Sequence, residues 1–270
     1  MPELPEVQTV LDTLAVQIKD LKIEDIIIKY KPIVNVNANE FKKALIGQHF
    51  RNFKRRGKYL LFEMDDITLV SHLRMEGKYY IKKHNEKVDK HTHVIFKLNK
   101  GIDLRYNDVR KFGRFELMDK KDNYDVFKNL GPEPFSKAFN LKYVKNYFKN
   151  ENRPLKEVLL DQSFVAGVGN IYADEICFAI RLNPKTICKK IKEDKMLELI
   201  KQTKCILKKA IKKGGTTIRS YTSSLGVTGR FQTNLKVHTK QICPICNNKI
   251  VKIRVGGRGT YFCKSCQKYS

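Results

Sequence analysis

Apolar residues recur at helical spacing at Val7, Val10, Leu11, Leu14, Ile18 and Leu21, which predicts an amphipathic helix near the start of the chain. Pro5 suits its first turn, where a missing N–H costs nothing, and Glu3 and Glu6 lie at its positive end. From residue 23 to 118 the pattern shortens to β-like runs: Ile26-Ile27-Ile28, Tyr59-Leu60-Leu61-Phe62, Ile67-Thr68-Leu69-Val70, Val94-Ile95-Phe96 and Arg114-Phe115-Glu116-Leu117. Turn clusters such as Asp65-Asp66 and Asn99-Lys100-Gly101 separate them, which predicts an antiparallel sandwich or barrel. At Gly131-Pro132-Glu133-Pro134 the β signals stop, as in a linker. From about 137 to 213 the reading is helical. Stretches at 154–162 and 170–180 flank the turn Ser163-Phe164-Val165-Ala166-Gly167-Val168-Gly169, and a third helix runs near 192–213. Gly214-Gly215-Thr216-Thr217 then opens a Ser/Thr/Gly-rich loop to about Gly229, too polar for core.

Composition narrows the partner. A chain of 270 residues that is 41% hydrophobic can bury a core, which argues against a disordered polycation. No run approaches the roughly 18 apolar residues of a membrane-spanning helix. The opening Met1-Pro2-Glu3-Leu4-Pro5-Glu6 is unlike a targeting peptide, so a cytoplasmic location is expected. Against 28 acidic residues stand 54 basic ones, a net charge of +26, and such a field predicts a polyanionic partner. The alternative is a merely solvated basic surface, because 41 of the 54 are Lys and a Lys-rich composition can reflect a general bias. Anionic membrane is disfavoured, since the basic residues are spread along the chain.

Four of the seven cysteines fall as Cys243-x2-Cys246-x16-Cys263-x2-Cys266, a four-thiolate zinc spacing, while Cys177, Cys188 and Cys205 are scattered. Each Cys-x2-Cys turn brings two thiolates within about 2.3 Å of one ion, and two turns complete a tetrahedron. Between the pairs, Ile250, Val251, Ile253 and Val255 lead to Gly256-Gly257 and then Tyr261-Phe262, which predicts a β-hairpin on a zinc knuckle. The scattered cysteines read as small buried apolar residues.

Two further places could carry chemistry. The glycine turn before Asn170 exposes backbone N–H groups at a helix start, where the dipole favours an anion; the plainer reading is that Asn170 is an N-cap. At the amino terminus, loss of Met1 would leave Pro2 with a free secondary amine beside Glu3. Such an amine is partly deprotonated near neutral pH and could attack a sugar C1′ to form an iminium.

The segments Met1-Pro2-Glu3-Leu4-Pro5-Glu6-Val7, Arg55-Arg56-Gly57-Lys58-Tyr59-Leu60, His72-Leu73-Arg74-Met75-Glu76-Gly77, Asp108-Val109-Arg110-Lys111-Phe112-Gly113, Leu159-Leu160-Asp161-Gln162, Gly167-Val168-Gly169-Asn170-Ile171-Tyr172-Ala173-Asp174-Glu175 and Gly257-Arg258-Gly259-Thr260 together resemble the bacterial formamidopyrimidine-DNA glycosylase (8-oxoguanine glycosylase) family. The resemblance runs in the family's order from residue 1 to the last zinc cysteine. It implies an α+β fold: an N-terminal β-sandwich with flanking helices over 1–131, a helical helix-two-turn-helix domain over 132–236, and a zinc-finger hairpin over 237–270. It also implies a bacterial repair enzyme that excises oxidised purines and nicks the strand by β,δ-elimination.

Carried over position by position, Pro2 resembles the family's nucleophile and Glu3 the acid that protonates the opening sugar. Lys58 matches the lysine of β-elimination and Arg258 the arginine of δ-elimination. Met75, Arg110 and Phe112 match the trio that fills the gap left by the extruded nucleotide. His91, Arg153, Lys156 and Asn170 match DNA or phosphate contacts, and Cys243, Cys246, Cys263 and Cys266 hold one structural zinc. The implied partner is lesion-bearing duplex DNA, bound by a monomer. By residue type alone, Met75 and Phe112 would be core, Arg110 a surface cation and Lys58 one lysine among 41.

Departures from the family pattern are few: Gln8 replaces an acidic residue, Tyr261 stands where His is common, and Glu76 follows the wedge Met where others have a small polar residue. The loop 214–229 corresponds to the family's base-capping loop. Two alternatives stay open at this point. An endonuclease VIII-like enzyme would take oxidised pyrimidines, although Leu4 and Arg110-Lys111-Phe112 favour the purine branch. A non-catalytic zinc-ribbon DNA-binding protein would need neither Pro2 nor Glu3.

Overall fold

The opening periodicity becomes helix α1 (Leu4–Ile18), which buries Leu4, Val7, Val10, Leu11, Leu14 and Ile18. Glu3 is its N-cap and Pro5 sits in its first turn, while the Glu6 carboxylate accepts the Glu3 N–H at 3.0 Å, closing a capping box. The computed structural model describes residues 1–119, 127–216 and 229–269. The chain divides into two compact units, Met1–Lys128 with Gly214–Arg230, and Asn129–Lys213 with Phe231–Ser270.

In the first unit the β pattern resolves into two antiparallel four-stranded sheets. Strands β1 (Ile23–Ile28), β5 (Lys78–Lys83), β6 (Thr92–Leu98) and β7 (Ile102–Asn107) form one, in the order β1-β6-β7-β5. Strands β2 (Asn52–Arg56), β3 (Tyr59–Glu63), β4 (Ile67–His72) and β8 (Arg114–Asp119) form the other, in the order β2-β3-β4-β8. One core joins them: Ile26, Val94, Phe96, Leu104 and Tyr106 from the first sheet meet Leu60, Phe62, Leu69 and Phe115 from the second, with α1 packed alongside. The expected sandwich is therefore present.

Four elements go unread from the sequence, three of them for want of apolar signal. Helix α2 (Ala38–Leu45) buries only Phe41 and Leu45 and is capped by Asn37, which accepts the Asn39 N–H at 2.9 Å. Strands β2 and β5 are sheet edges, where polar runs such as Asn-Phe-Lys-Arg-Arg are tolerated because solvent reaches them. Strand β7 buries its alternate polar residues too, since Asp103 and Arg105 pair at 2.7 Å.

The second unit is helical: α3 (Leu141–Phe148), α4 (Leu155–Leu160), α5 (Asn170–Ala179) and α6 (Glu193–Lys212), followed by the hairpin of β9 (Ile250–Val255) and β10 (Arg258–Cys263). Helix α5 is buried on nearly every side, packed by α4, α6 and β10. Its Glu175 carboxylate accepts N–H groups from Lys236, Val237 and His238 at 2.9 Å, which seats the approach to the zinc knuckle. The architecture is α+β, and no described helix is long and apolar enough to cross a membrane. Of the loop expected over 214–229, residues 217–228 lie outside the described residues.

Candidate active site and nucleic-acid interface

The amino-terminal amine of Met1 is partly buried, and burial lowers its pKa against the opposing pull of Glu3 and Glu6. Lys58 and Glu76 also lie within its electrostatic reach. Pro2 is buried, as are Glu3 at 3% exposure and Lys58 at 6%, so the proline, a carboxylate and an ammonium share water-poor surroundings. The capping box fixes Glu3; the turn between β2 and β3 fixes Lys58. Arg55 donates to the Gly57 carbonyl at 2.9 Å and to Gln8 Oε1 at 3.0 Å, linking that turn to α1. Gln8, the departure from an acidic residue, thus keeps an acceptor for Arg55 without its charge.

Sequence reading gave Glu6 no firm role. Its Oε2 holds the Glu3 N–H, and its Oε1 accepts the Thr216 N–H at 2.8 Å and the Thr216 hydroxyl at 3.1 Å. One carboxylate therefore ties the start of α1 to the root of the 214–229 loop. The two partners lie 210 residues apart, so no local pattern could have revealed the link.

Met75 and the pair Arg110 and Phe112 stand on two loops of the same unit, after β4 and after β7. Phe112 is 46% exposed, which overturns its reading by residue type as core, and the Arg110 guanidinium lies over its ring at 4.6 Å. Neighbouring Val109 is 56% exposed, with no signal in the sequence to mark it. Met75 is half-buried. His91 lines a cavity with Lys82, Lys87 and Asn107, and its N–H donates to Asp89 at 2.7 Å.

In the second unit the glycine turn is built by Gln162. Its amide donates to Leu160 O and Val168 O, both at 2.9 Å, and its oxygen accepts the Gly167 N–H at 2.9 Å. The N-cap is Gly169, not Asn170, which is the first residue of α5. A glycine cap spends no side chain on the helix end, and the positive end of the α5 dipole lies there. Asn170 Oδ1 is buried without a hydrogen-bond partner. Arg153 is fastened to Asp161 at 2.8 Å and Glu151 at 2.7 Å, with its side chain 42% exposed.

Lys156, expected at a phosphate, is instead fully buried. Its ammonium donates to Asp174 Oδ1 at 2.7 Å, to the Thr260 hydroxyl at 2.8 Å and to the Gly259 carbonyl at 3.0 Å. Three N–H donors meet three acceptors, which is the only way such a charge survives burial. The other Asp174 oxygen contacts His238 Nδ1 at 2.7 Å and accepts the Tyr261 N–H at 3.2 Å. Tyr261 lies edge-on against the His238 ring at 5.1 Å. Lys156 therefore acts on β10, the strand that Arg258 opens, and Arg258 itself is exposed at the hairpin turn.

The sulfur atoms of Cys243, Cys246, Cys263 and Cys266 all lie within 4.8 Å of one another. Cys243 and Cys266 are 3.8 Å apart and Cys246 and Cys263 3.5 Å, close to the edge of about 3.8 Å that a tetrahedron of Zn–S bonds requires. The residues present fit a zinc ion. Cys177 and Cys188 are buried, and burial raises both thiols, so they remain unreactive protonated groups.

Comparison with known proteins places these features together. Three family profiles match in order: the formamidopyrimidine-DNA glycosylase N-terminal domain over residues 1–115, the H2TH domain of the same enzymes over 130–222, and the zinc finger found in FPG and IleRS over 240–268. The formamidopyrimidine-DNA glycosylase of Listeria monocytogenes is 43% identical over 273 residues, covering 99% of this chain and 100% of the relative. That of Streptococcus mutans is 44% identical over 272 residues, with the same coverage. Among solved structures, the Lactococcus lactis enzyme complexed with DNA containing an abasic site superposes with a TM-score of 0.93 at 41% identity, covering 98% of this chain and 99% of that one. A Lactococcus lactis mutant bound to DNA containing Fapy-dG gives 0.94 at 40% identity, with the same coverage. This chain belongs to the formamidopyrimidine-DNA glycosylase family.

Proposed function

We propose that this protein is a bifunctional DNA glycosylase and abasic-site lyase that removes oxidised purines, 8-oxoguanine and formamidopyrimidines, from duplex DNA. The observation that carries the reading is the buried trio of Pro2, Glu3 and Lys58 at the amino terminus, where burial also lowers the pKa of the neighbouring Met1 amine. After loss of Met1, the Pro2 amine attacks C1′ of an extruded nucleotide while Glu3 protonates the opening sugar. The base leaves and an iminium joins Pro2 to the deoxyribose. Lys58 assists β-elimination and Arg258 assists δ-elimination.

A base inside the stack cannot be reached, so it must be flipped out and its place filled. Met75 and Phe112 are apolar wedges for the gap, and Arg110 donates to the orphaned base. The alternative of an oxidised-pyrimidine enzyme has one observation in its favour. A similar Lactococcus lactis structure, 40% identical, holds DNA with an oxidised pyrimidine. A panel of single-lesion duplexes separates the two by rate. Zinc, held by Cys243, Cys246, Cys263 and Cys266, supplies no reacting group, because four thiolates leave no position for water. Within this reading residues 1–131 are catalytic, 132–236 grip the DNA backbone and 237–270 present Arg258. The enzyme works as a monomer in the bacterial cytoplasm.

Binding to undamaged duplex is expected to be largely electrostatic. Each neutralised phosphate contributes about −0.9 to the slope of log affinity against log salt. Asn170→Ala, at the helix start, is expected to weaken all sequences alike, since phosphate contacts read no bases; sequence-dependent loss in a titration series would contradict this. Arg110→Ala should behave differently. Its guanidinium can donate to a cytosine edge, whereas adenine presents a donor there. Its loss is expected to cost about 1–3 kcal/mol opposite cytosine and to narrow discrimination against adenine. Equal loss opposite all four bases in single-turnover assays would put Arg110 on the backbone.

A further inference from the structure

The groups assigned above to the duplex wedge sit on two loops, and both loops are fastened from within by a buried side chain. In the loop after β7, Asp108 is fully buried. Its Oδ1 accepts the Arg110 N–H at 3.0 Å, and its Oδ2 accepts the N–H groups of Phe112 at 2.9 Å and Gly113 at 2.8 Å. Its backbone joins in: the Asp108 N–H donates to His91 O at 3.0 Å, and the Asp108 carbonyl meets His93 Nε2 at 2.7 Å. Lys111 is held at φ +57°, a left-handed conformation that a lysine adopts only when its surroundings impose it.

The loop after β4 repeats the device. Arg74, immediately before Met75, is left-handed at φ +52°, and its N–H donates to His72 Nδ1 at 2.8 Å. His72 is buried, and burial, with Arg74 and Lys58 adding to it, pushes its pKa down to about 3, so the ring stays a neutral acceptor. In both loops the left-handed residue directly precedes an apolar wedge residue, Met75 or Phe112. The Tyr106 ring links the two: a methyl group built on Gly77 or on Gly113 would collide with its hydroxyl, so each loop rests on the same buried phenol.

We propose that Asp108, seconded by His72, is a positioning residue for opposite-base recognition: its carboxylate sets the Arg110–Phe112 turn in its gap-filling geometry before DNA arrives. The proposal rests on the assignment of Arg110 and Phe112 to the wedge. Its physical content is pre-organisation. A loop already ordered loses little conformational entropy when it enters the stack, whereas a loose one must be ordered at that moment. The three bonds to a carboxylate are charge-assisted and so among the stronger available to backbone N–H groups. Arg110 can then report on the partner base only if its Cα is fixed, because a guanidinium on a wandering backbone meets cytosine and adenine equally well.

The test compares Asp108→Asn with Arg110→Ala and wild type. Asparagine keeps the volume but turns an NH2 towards N–H groups that need an acceptor, releasing at least one of them. Single-turnover excision is measured opposite each of the four bases, and borohydride trapping is measured on a single-stranded abasic oligonucleotide, which has no gap to fill. Asp108→Asn is expected to reduce the preference for cytosine over adenine by about tenfold, the scale of one lost base contact, with trapping on the single strand unchanged. A general structural defect would lower both readouts together and overturn the proposal. Unchanged opposite-base preference in Asp108→Asn, where Arg110→Ala does narrow it, would overturn the proposal alone; uniform loss in Arg110→Ala would overturn the wedge assignment instead. Should Asp108→Asn fail to fold, Asp108→Glu takes its place, because it keeps the charge but shifts the acceptors by one methylene from the Arg110, Phe112 and Gly113 N–H groups. It is expected to narrow the same preference, and an unchanged preference there would overturn the proposal.

Discussion

Glu3→Gln is expected to lose base excision by a factor of about 10²–10⁴, the usual contribution of a positioned general acid, while still cleaving a preformed abasic site. The amide cannot deliver a proton to the opening sugar, but with the base already gone that proton is no longer needed. Its backbone N–H can still donate to Glu6, so the capping box that holds the start of α1 keeps that half and the fold should survive. Pro2→Gly probes the nucleophile itself. It leaves a primary amine, whose imine must be protonated before elimination, where proline gives a permanently cationic iminium. Borohydride trapping on a lesion duplex is expected to fall far below wild type. Wild-type yield with the link mapped to a lysine would show that the reacting amine lies elsewhere, and Glu3→Gln with normal excision would remove the acid role.

The second large effect concerns the metal. Structural zinc sites bind with about 10–16 kcal/mol at neutral pH, and that energy is folding energy for the segment they organise. Here Cys243 and Cys263 pack with Phe178, Val237 and Ile250, so the knuckle shares a small apolar cluster with the end of α5. Cys243→Ser, or prolonged chelation, is expected to release the hairpin, weaken DNA binding and shift cleavage products from δ- towards β-elimination, because Arg258 loses its fixed support. Elemental analysis should find one zinc per chain in wild type and much less in the variant. Fully active protein without zinc would refute the site.

Much of this was legible because period and spacing carry it. The α1 periodicity, the strand runs and the two Cys-x2-Cys pairs each encode a local geometry that survives into the fold. Two sheet-edge strands and α2 escaped because an edge or a two-turn helix buries too few apolar groups to leave a period. Lys156, matched to a phosphate contact only through the family resemblance, is buried for a reason the sequence does not carry. A lysine in a basic chain reads as surface, and only the distant Asp174 and Gly259-Thr260 make burial affordable. The Glu6 link to Thr216 and the Asp108 turn are likewise tertiary facts. The Asp108 motif is visible in the sequence, but nothing in Asp-Val-Arg-Lys-Phe-Gly says which side chain faces inwards.

Lys156 and Asp174 also constrain how this sequence can diverge. Breaking such a buried pair from one side typically costs 3–5 kcal/mol, a large part of the roughly 5–15 kcal/mol that keeps a domain folded. Replacing both partners with apolar groups of similar volume can be nearly neutral. A lineage can therefore cross between the two states only by changing both codons, or by passing through a poorly folded ancestor. Exchange of lysine for arginine, open at exposed sites, is closed at 156, where a compact ammonium meets three acceptors and a planar guanidinium would not fit them. Among 41 lysines, this one is therefore bound to its residue type by its three partners rather than by charge alone.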